Sequence, residues 1–136
     1  IVTDEAVRDN CAEVPKLIRV VDIADERNPR LIATCPVPEG DFCGRGGRFG
    51  AHNIHEMRPG SLVDPTTIYA TYFSAGVRVY DISEPARPRE IAHFVPEAPA
   101  GRPCIQMNDL TVAADGLIYA TDRYAGGLYI FELLRP

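Results

Sequence analysis

The stretch Ile68-Tyr69-Ala70-Thr71-Tyr72-Phe73-Ser74-Ala75-Gly76-Val77-Arg78-Val79-Tyr80-Asp81-Ile82 decides the fold. Its first four residues return letter for letter as Ile118-Tyr119-Ala120-Thr121, and each copy passes through a short polar turn to an Ala-Gly pair, Ala75-Gly76 and Ala125-Gly126. An alternating run follows each pair, Val77 to Ile82 in one copy and Leu128 to Leu133 in the other. Alternating β-branched and aromatic residues around a Gly-containing turn read as a β-hairpin, so one hairpin is used twice. An earlier segment joins the series, because Ile18-Arg19-Val20-Val21-Asp22-Ile23 aligns without gaps on Val77 to Ile82. That alignment continues through Asn28-Pro29-Arg30-Leu31-Ile32-Ala33 against Arg87-Pro88-Arg89-Glu90-Ile91-Ala92.

Working outward, the middle unit reads as four strands: Ala51 to Met57, Thr67 to Phe73, Val77 to Ile82 and Arg89 to Phe94. Turns rich in Pro, Gly, Ser and Asp separate them. The third unit offers Gln106 to Val112, Leu117 to Asp122 and Leu128 to Leu133; the first offers Ile1 to Thr3, Leu17 to Ile23 and Arg30 to Cys35, with an insertion between Thr3 and Leu17. Residues 1–48 are therefore expected to be a partial unit lacking its innermost strand plus a connecting loop. Residues 49–102 form a complete unit, and 103–136 a partial one lacking its outermost strand. About two and a half four-stranded antiparallel meanders at a spacing of roughly 50 to 60 residues point to an all-β chain of β-propeller blades. Twelve Pro and eleven Gly, spread along 136 residues, interrupt any helix before three turns.

The segments Val20-Val21-Asp22-Ile23-Ala24-Asp25 with Asn28-Pro29, and Val79-Tyr80-Asp81-Ile82-Ser83-Glu84 with Arg87-Pro88, resemble the LVIVD repeat of bacterial and archaeal β-propeller proteins. The stretch Gly47-Arg48-Phe49-Gly50-Ala51-His52-Asn53-Ile54-His55-Glu56 is similar to one found in a subset of those proteins. The resemblance implies a propeller, often secreted or attached to the cell surface, whose biochemical role is mostly unassigned, and it implies no reaction. Members are several times longer and close a full ring, so the chain resembles the C-terminal blades of one.

An arc of two and a half blades leaves open faces and unpaired strand edges. The chain is thus expected either to associate face to face with itself or to be completed by the remainder of a longer polypeptide. It begins at Ile1 with no signal or transit segment visible, which reads as a processed or partial chain. Hydrophobic residues make up 46% and charged residues 24%, the proportions of an ordinary globular domain. No apolar run approaches the roughly 18 to 20 residues of a membrane span. A net charge of -5 removes the attraction to phosphate on which non-specific nucleic-acid binding rests.

Residues repeated in every unit read as scaffold: Asp22, Asp81 and Glu132 accept from turn amides, Arg19 and Arg78 share one register, and Tyr69 and Tyr119 pack. Function is sought where the units differ. His52, Asn53, His55 and Glu56 fall at the beginning of an innermost strand, where the third unit has Asn108 and Asp109. In a propeller such beginnings line the channel mouth. Arg45 and Arg48, set among Gly44, Gly46, Gly47 and Gly50, enter the same strand and favour a carboxylate or phosphate. Together Arg45, Arg48, His52, Asn53, Asn108 and Asp109 form the candidate ligand-binding set. His52, His55, Glu56 and Asp109 form a candidate divalent-metal set, although residues three apart in a regular strand face opposite ways. His93 sits in an outer strand as a surface or packing residue.

Among the four cysteines there is no C-x-x-C pair. Cys11 and Cys43 lie in irregular insertions of neighbouring units and are a disulfide candidate, fitting a secreted, periplasmic or cell-surface protein. Cys104 reads either as a nucleophile beside a His or as a small hydrophobe. Three functions remain: a binding or interaction module for a small molecule or protein, a metal-dependent hydrolase-type enzyme, and a purely structural assembly module.

Overall fold

The structure is a computed structural model and describes residues 1–134. Among the described residues nine strands form three three-stranded antiparallel sheets, each an up-and-down meander of consecutive strands. The first holds β1 (Val2–Thr3), β2 (Ile18–Asp22) and β3 (Arg30–Thr34). The second holds β4 (Thr67–Thr71), β5 (Val77–Asp81) and β6 (Arg89–Phe94). The third holds β7 (Met107–Val112), β8 (Leu117–Asp122) and β9 (Gly127–Glu132). The only helical element among the described residues is a single 3₁₀ turn, Cys43–Arg45. Among the described residues no helix is long and apolar enough to cross a membrane.

The repeated hairpin is the centre of the molecule. Alternation sends Ile68, Ala70 and Tyr80 to one face of the second sheet and Tyr69, Val77 and Val79 to the other. The first set packs with Ile18, Cys35 and Phe42. The second packs with Met107, Leu110, Val112, Ile118 and Ala120 of the third sheet. Covered on both faces, Val77, Arg78, Val79 and Tyr80 are all buried in succession. Each large apolar side chain removed from water this way contributes about 1.5–3 kcal/mol. Arg78, 3% exposed, escapes the cost of a buried charge by donating to the Ala75 carbonyl (2.9 Å) and pairing with Glu90 (3.0 Å). Arg19, in the same register, pairs instead with Asp4 at 2.6 Å.

The second sheet is thus three-stranded where four strands were expected, while the first and third have three each. The segment expected as strand Ala51–Met57 reaches β4 only through a single bridge, Ile54 with Ala70, and three backbone hydrogen bonds. Two of these run from His52 N–H to the Thr71 carbonyl and from His55 N–H to that of Tyr69; Thr71 N–H returns one to Asn53. The ladder is diverted because Asn53 N–H donates to the Thr71 hydroxyl (3.1 Å). The hydroxyl in turn reaches the Asn108 carbonyl (3.0 Å). Side-chain partners of this kind compete with regular pairing.

The insertion between β1 and β2 is an ordered loop. Val7 and Arg8 N–H donate to Glu13 Oε1 at 2.6 and 2.8 Å, Asn10 N–H donates to the Gly47 carbonyl (2.8 Å), and Cys11 is disulfide-bonded to Cys43. These contacts lay the insertion against the Gly-rich segment 44–50.

Candidate functional site

The short segment 52–55 divides the candidate residues between its two sides. On one side His52 donates from Nδ1 to the Asn108 carbonyl (2.6 Å), and its Nε2 lies 3.4 Å from Glu5 Oε1. Arg48 approaches the same carboxylate oxygen at 3.4 Å and donates to the Ala6 carbonyl (3.3 Å). The His52 ring is centred 4.6 Å from that of Phe73, and the guanidinium carbons of Arg48 and Arg123 lie 5.6 and 5.8 Å from it. This is cation–π range. Arg48 is held further by its own backbone. Its N–H donates to Gln106 Oε1 (2.9 Å), and Gln106 Nε2 donates back to its carbonyl (3.0 Å). Gln106 is fully buried, a structural residue that no motif announces. A side chain at Gly47 would meet that amide at 2.8 Å, so one loop glycine serves this close approach.

Arg45 goes elsewhere. It donates to the Asp41 carbonyl (2.9 Å), stacks 4.6 Å from the Phe42 ring and borders a different depression with Cys104 and Ser74. The expected anion cradle of Arg45 with Arg48 is therefore split. Cys104 donates its thiol to the Gly46 carbonyl, and burial pushes its pKa upward, as for a small buried hydrophobe. Cys35 is likewise buried and pushed up to about 11 by desolvation.

On the other side lies an open groove of about 570 Å³. It is lined by Asn53, Glu56 and Arg58, by Asp109 and Thr111 of β7 with Tyr119 and Thr121 of β8, and by Leu128 of β9. Asp109 Oδ1 accepts the Leu110 N–H (2.8 Å). Glu56 is paired with Arg58. The groove thus offers carboxylate and hydroxyl acceptors beside an aromatic ring. Three residues of the sequence-derived sets, Asn53, Glu56 and Asp109, meet here. Asn108 contributes its backbone carbonyl beside the groove, to His52 and Thr71.

The candidate metal set does not assemble. His55 Nδ1 accepts the Val112 N–H (3.2 Å), so its Nε2 carries the proton donated to the Leu62 carbonyl (2.9 Å), and both ring nitrogens are engaged. His52 faces Asn108 and Glu5, while Glu56 and Asp109 face the groove. Among the described residues no group of three or more His, Cys, Asp and Glu side chains converges to hold a metal ion. His93 is exposed on β6 beside Glu90 (3.2 Å).

The sequence reading missed Arg58, Thr111, Tyr119 and Thr121. Tyr119 was assigned to packing through its equivalence with Tyr69, which is 3% exposed. No family model, curated protein or solved structure matches the chain.

Proposed function

We propose that this chain is a binding module built from LVIVD-type β-propeller blades, and that the groove between segment 53–58 and strands β7 and β8 holds its ligand. The blade reading is supported by the sheets stacking face to face through two apolar clusters, and by segment 52–55 lying along β4 as a rudimentary fourth strand. The observation that carries the functional reading is the meeting of non-repeating polar side chains, Asn53, Glu56 and Asp109, in one open concavity. Ligand sites are concave, with a few polar groups fixing orientation. Two carboxylates, one of them paired with Arg58, favour a small hydroxylated molecule bearing a cationic or strongly donating group, with Tyr119 as an apolar platform.

Glucosamine, N-acetylglucosamine and glucose, titrated into isotope-labelled protein and followed by amide NMR, test this. Saturable shifts confined to residues 53–58 and 109–111, strongest for glucosamine, are expected. Asp109→Ala should weaken binding roughly tenfold or more, as loss of a charge-assisted hydrogen bond does. Shifts at other surfaces, or no saturable response to any of the three, would overturn the assignment.

A further inference from the structure

The two histidines of segment 52–55 meet different partners. His55 has one donor and one acceptor before it, the Val112 N–H at Nδ1 and the Leu62 carbonyl at Nε2, and a neutral ring satisfies both. His52 has acceptors at both nitrogens, the Asn108 carbonyl at Nδ1 (2.6 Å) and Glu5 Oε1 at Nε2 (3.4 Å). A neutral imidazole carries one N–H, so only the imidazolium donates to both.

The donors around Glu5 are fixed, whereas Glu5 is held loosely. His52 is anchored through Nδ1 and rests on the Phe73 ring, 4.6 Å between centroids. Arg48 is anchored by its two-way backbone clamp with Gln106 and by the same ring. Among the described residues only its Nη1 has hydrogen-bond partners, Glu5 and the Ala6 carbonyl, which leaves Nε and Nη2 for another acceptor. Arg123 brings a second guanidinium 5.8 Å from the Phe73 centroid and has no ion-pair partner among the described residues. Glu5 stands 3.4 Å from both Arg48 and His52, beyond the roughly 2.7–2.9 Å of a charge-assisted hydrogen bond, and its side chain is 52% exposed. Its chain neighbours are held, Asp4 by Arg19 (2.6 Å) and the Leu17 N–H, and Ala6 by complete burial. The Glu5 carboxylate can therefore leave by rotation of its own side chain, with the loop in place.

We propose that Arg48 and His52 form a receptor for a small carboxylate, with Arg123 adding positive charge, and that Glu5 fills it as an internal stand-in. A free carboxylate displaces Glu5 by accepting from the unused nitrogens of Arg48 and from Nε2 of the protonated His52 ring. Pre-positioned donors favour binding because little ordering remains to be done. The charged groups come from separate elements: Glu5 from the insertion, Arg48 from the Gly-rich segment, His52 from segment 52–55 and Arg123 from the turn after β8. Strand β7 contributes only the uncharged Asn108 carbonyl. None of these side chains lines the groove, so failure of either reading leaves the other standing.

The test uses the intact chain and sodium acetate, followed by NMR of the backbone amides and histidine rings, against sodium chloride at equal ionic strength. Saturable shifts at Glu5, Arg48 and the His52 ring are expected with acetate alone. Glu5→Ala, which empties the site, should bind acetate at least about fivefold more tightly than wild type. In that variant binding brings a proton onto His52, so affinity should be about fivefold or more higher at pH 6 than at pH 8. If Glu5→Ala does not fold, Glu5→Gln keeps the side-chain volume, removes the competing charge and should shift affinity in the same direction. The same shifts with chloride, shifts centred on residues 109–111 and 119–121, no gain on replacing Glu5, or equal affinity at the two pH values would overturn the proposal.

Discussion

Gly76 shows how much a single position can carry. It ends the turn between β4 and β5 at φ +77°, where its N–H donates to the Phe73 carbonyl (3.0 Å), and an added Cβ would lie 2.1 Å from the Phe94 carbonyl oxygen. Gly76→Ala therefore meets both left-handed backbone strain, about 1–2 kcal/mol, and a collision with the end of β6 that cannot be relieved by turning a side chain. Gly60 isolates the first effect, because it has φ +85° and nothing within 4 Å of a new Cβ. Urea melts should show Gly60→Ala costing about 1 kcal/mol and Gly76→Ala at least twice that; equal losses would mean that the hairpin shifts to absorb the contact. Asp81 supports a second prediction. Its carboxyl is held down to about 2 by the Ser83 N–H, the Ser83 hydroxyl and Arg89, and Glu13 to about 2 by the N–H of Arg8, Lys16 and the N–H of Val7. Unfolded carboxyls titrate near 4. The folded state thus binds fewer protons between those values, and the stabilisation present above about pH 4 is lost as pH falls toward 2. Asp81→Asn should flatten that acid limb in circular-dichroism titrations, and an unchanged limb would reject the assignment. This turn role of Asp22 and Asp81 was legible from repetition alone. The divergence of His52 from His55 was legible in part, from strand parity. Their hydrogen-bond partners were not, because Asn108, Leu62 and Val112 belong to other segments.

Among elements, those with β-branched alternation and a neighbour close in sequence were legible to within a residue or two; β6 and β8 coincide with their expected spans. Segment 52–55 was not, because Thr71 spends a side-chain hydroxyl on an amide that a regular ladder would use. The insertion after β1 was visible only as an interruption. Its order comes from contacts distant in sequence: Glu13 gathering two amides, Asn10 on Gly47, and the Cys11–Cys43 bridge. That bridge closes a separation of 32 residues, and such a constraint on the unfolded chain typically contributes about 3 kcal/mol. Replacing both cysteines by serine should remove about that much in denaturant melts, and should raise the hydrogen-exchange rate of the Asn10 amide before those of the β4–β5 hairpin. If the hairpin loosens first, the insertion is not an independent local unit.

At the scale of the molecule, three equivalent sheets occupy three different environments. The second is covered on both faces, whereas the third is covered only on the side of Ile118 and Ala120. Equivalent side chains therefore differ sharply, Val77 and Val79 being 1% and 3% exposed against 57% for Leu128 and Ile130. The repeat in the sequence made the three antiparallel meanders readable. It did not reveal Gln106 clamping Arg48, since that contact joins two non-repeating segments. The asymmetry yields the last prediction. Val77→Ala and Val79→Ala should each cost about 2 kcal/mol, the loss of buried methyl groups plus the cavity left behind. Leu128→Ser and Ile130→Ser, at equivalent places, should stay within about 0.5 kcal/mol of wild type. Paired urea melts measure the contrast, with light scattering to establish that all four variants are compared in the same state of association. A loss at Leu128 or Ile130 as large as that at the valines would mean that something in solution already covers the outer face of the third sheet.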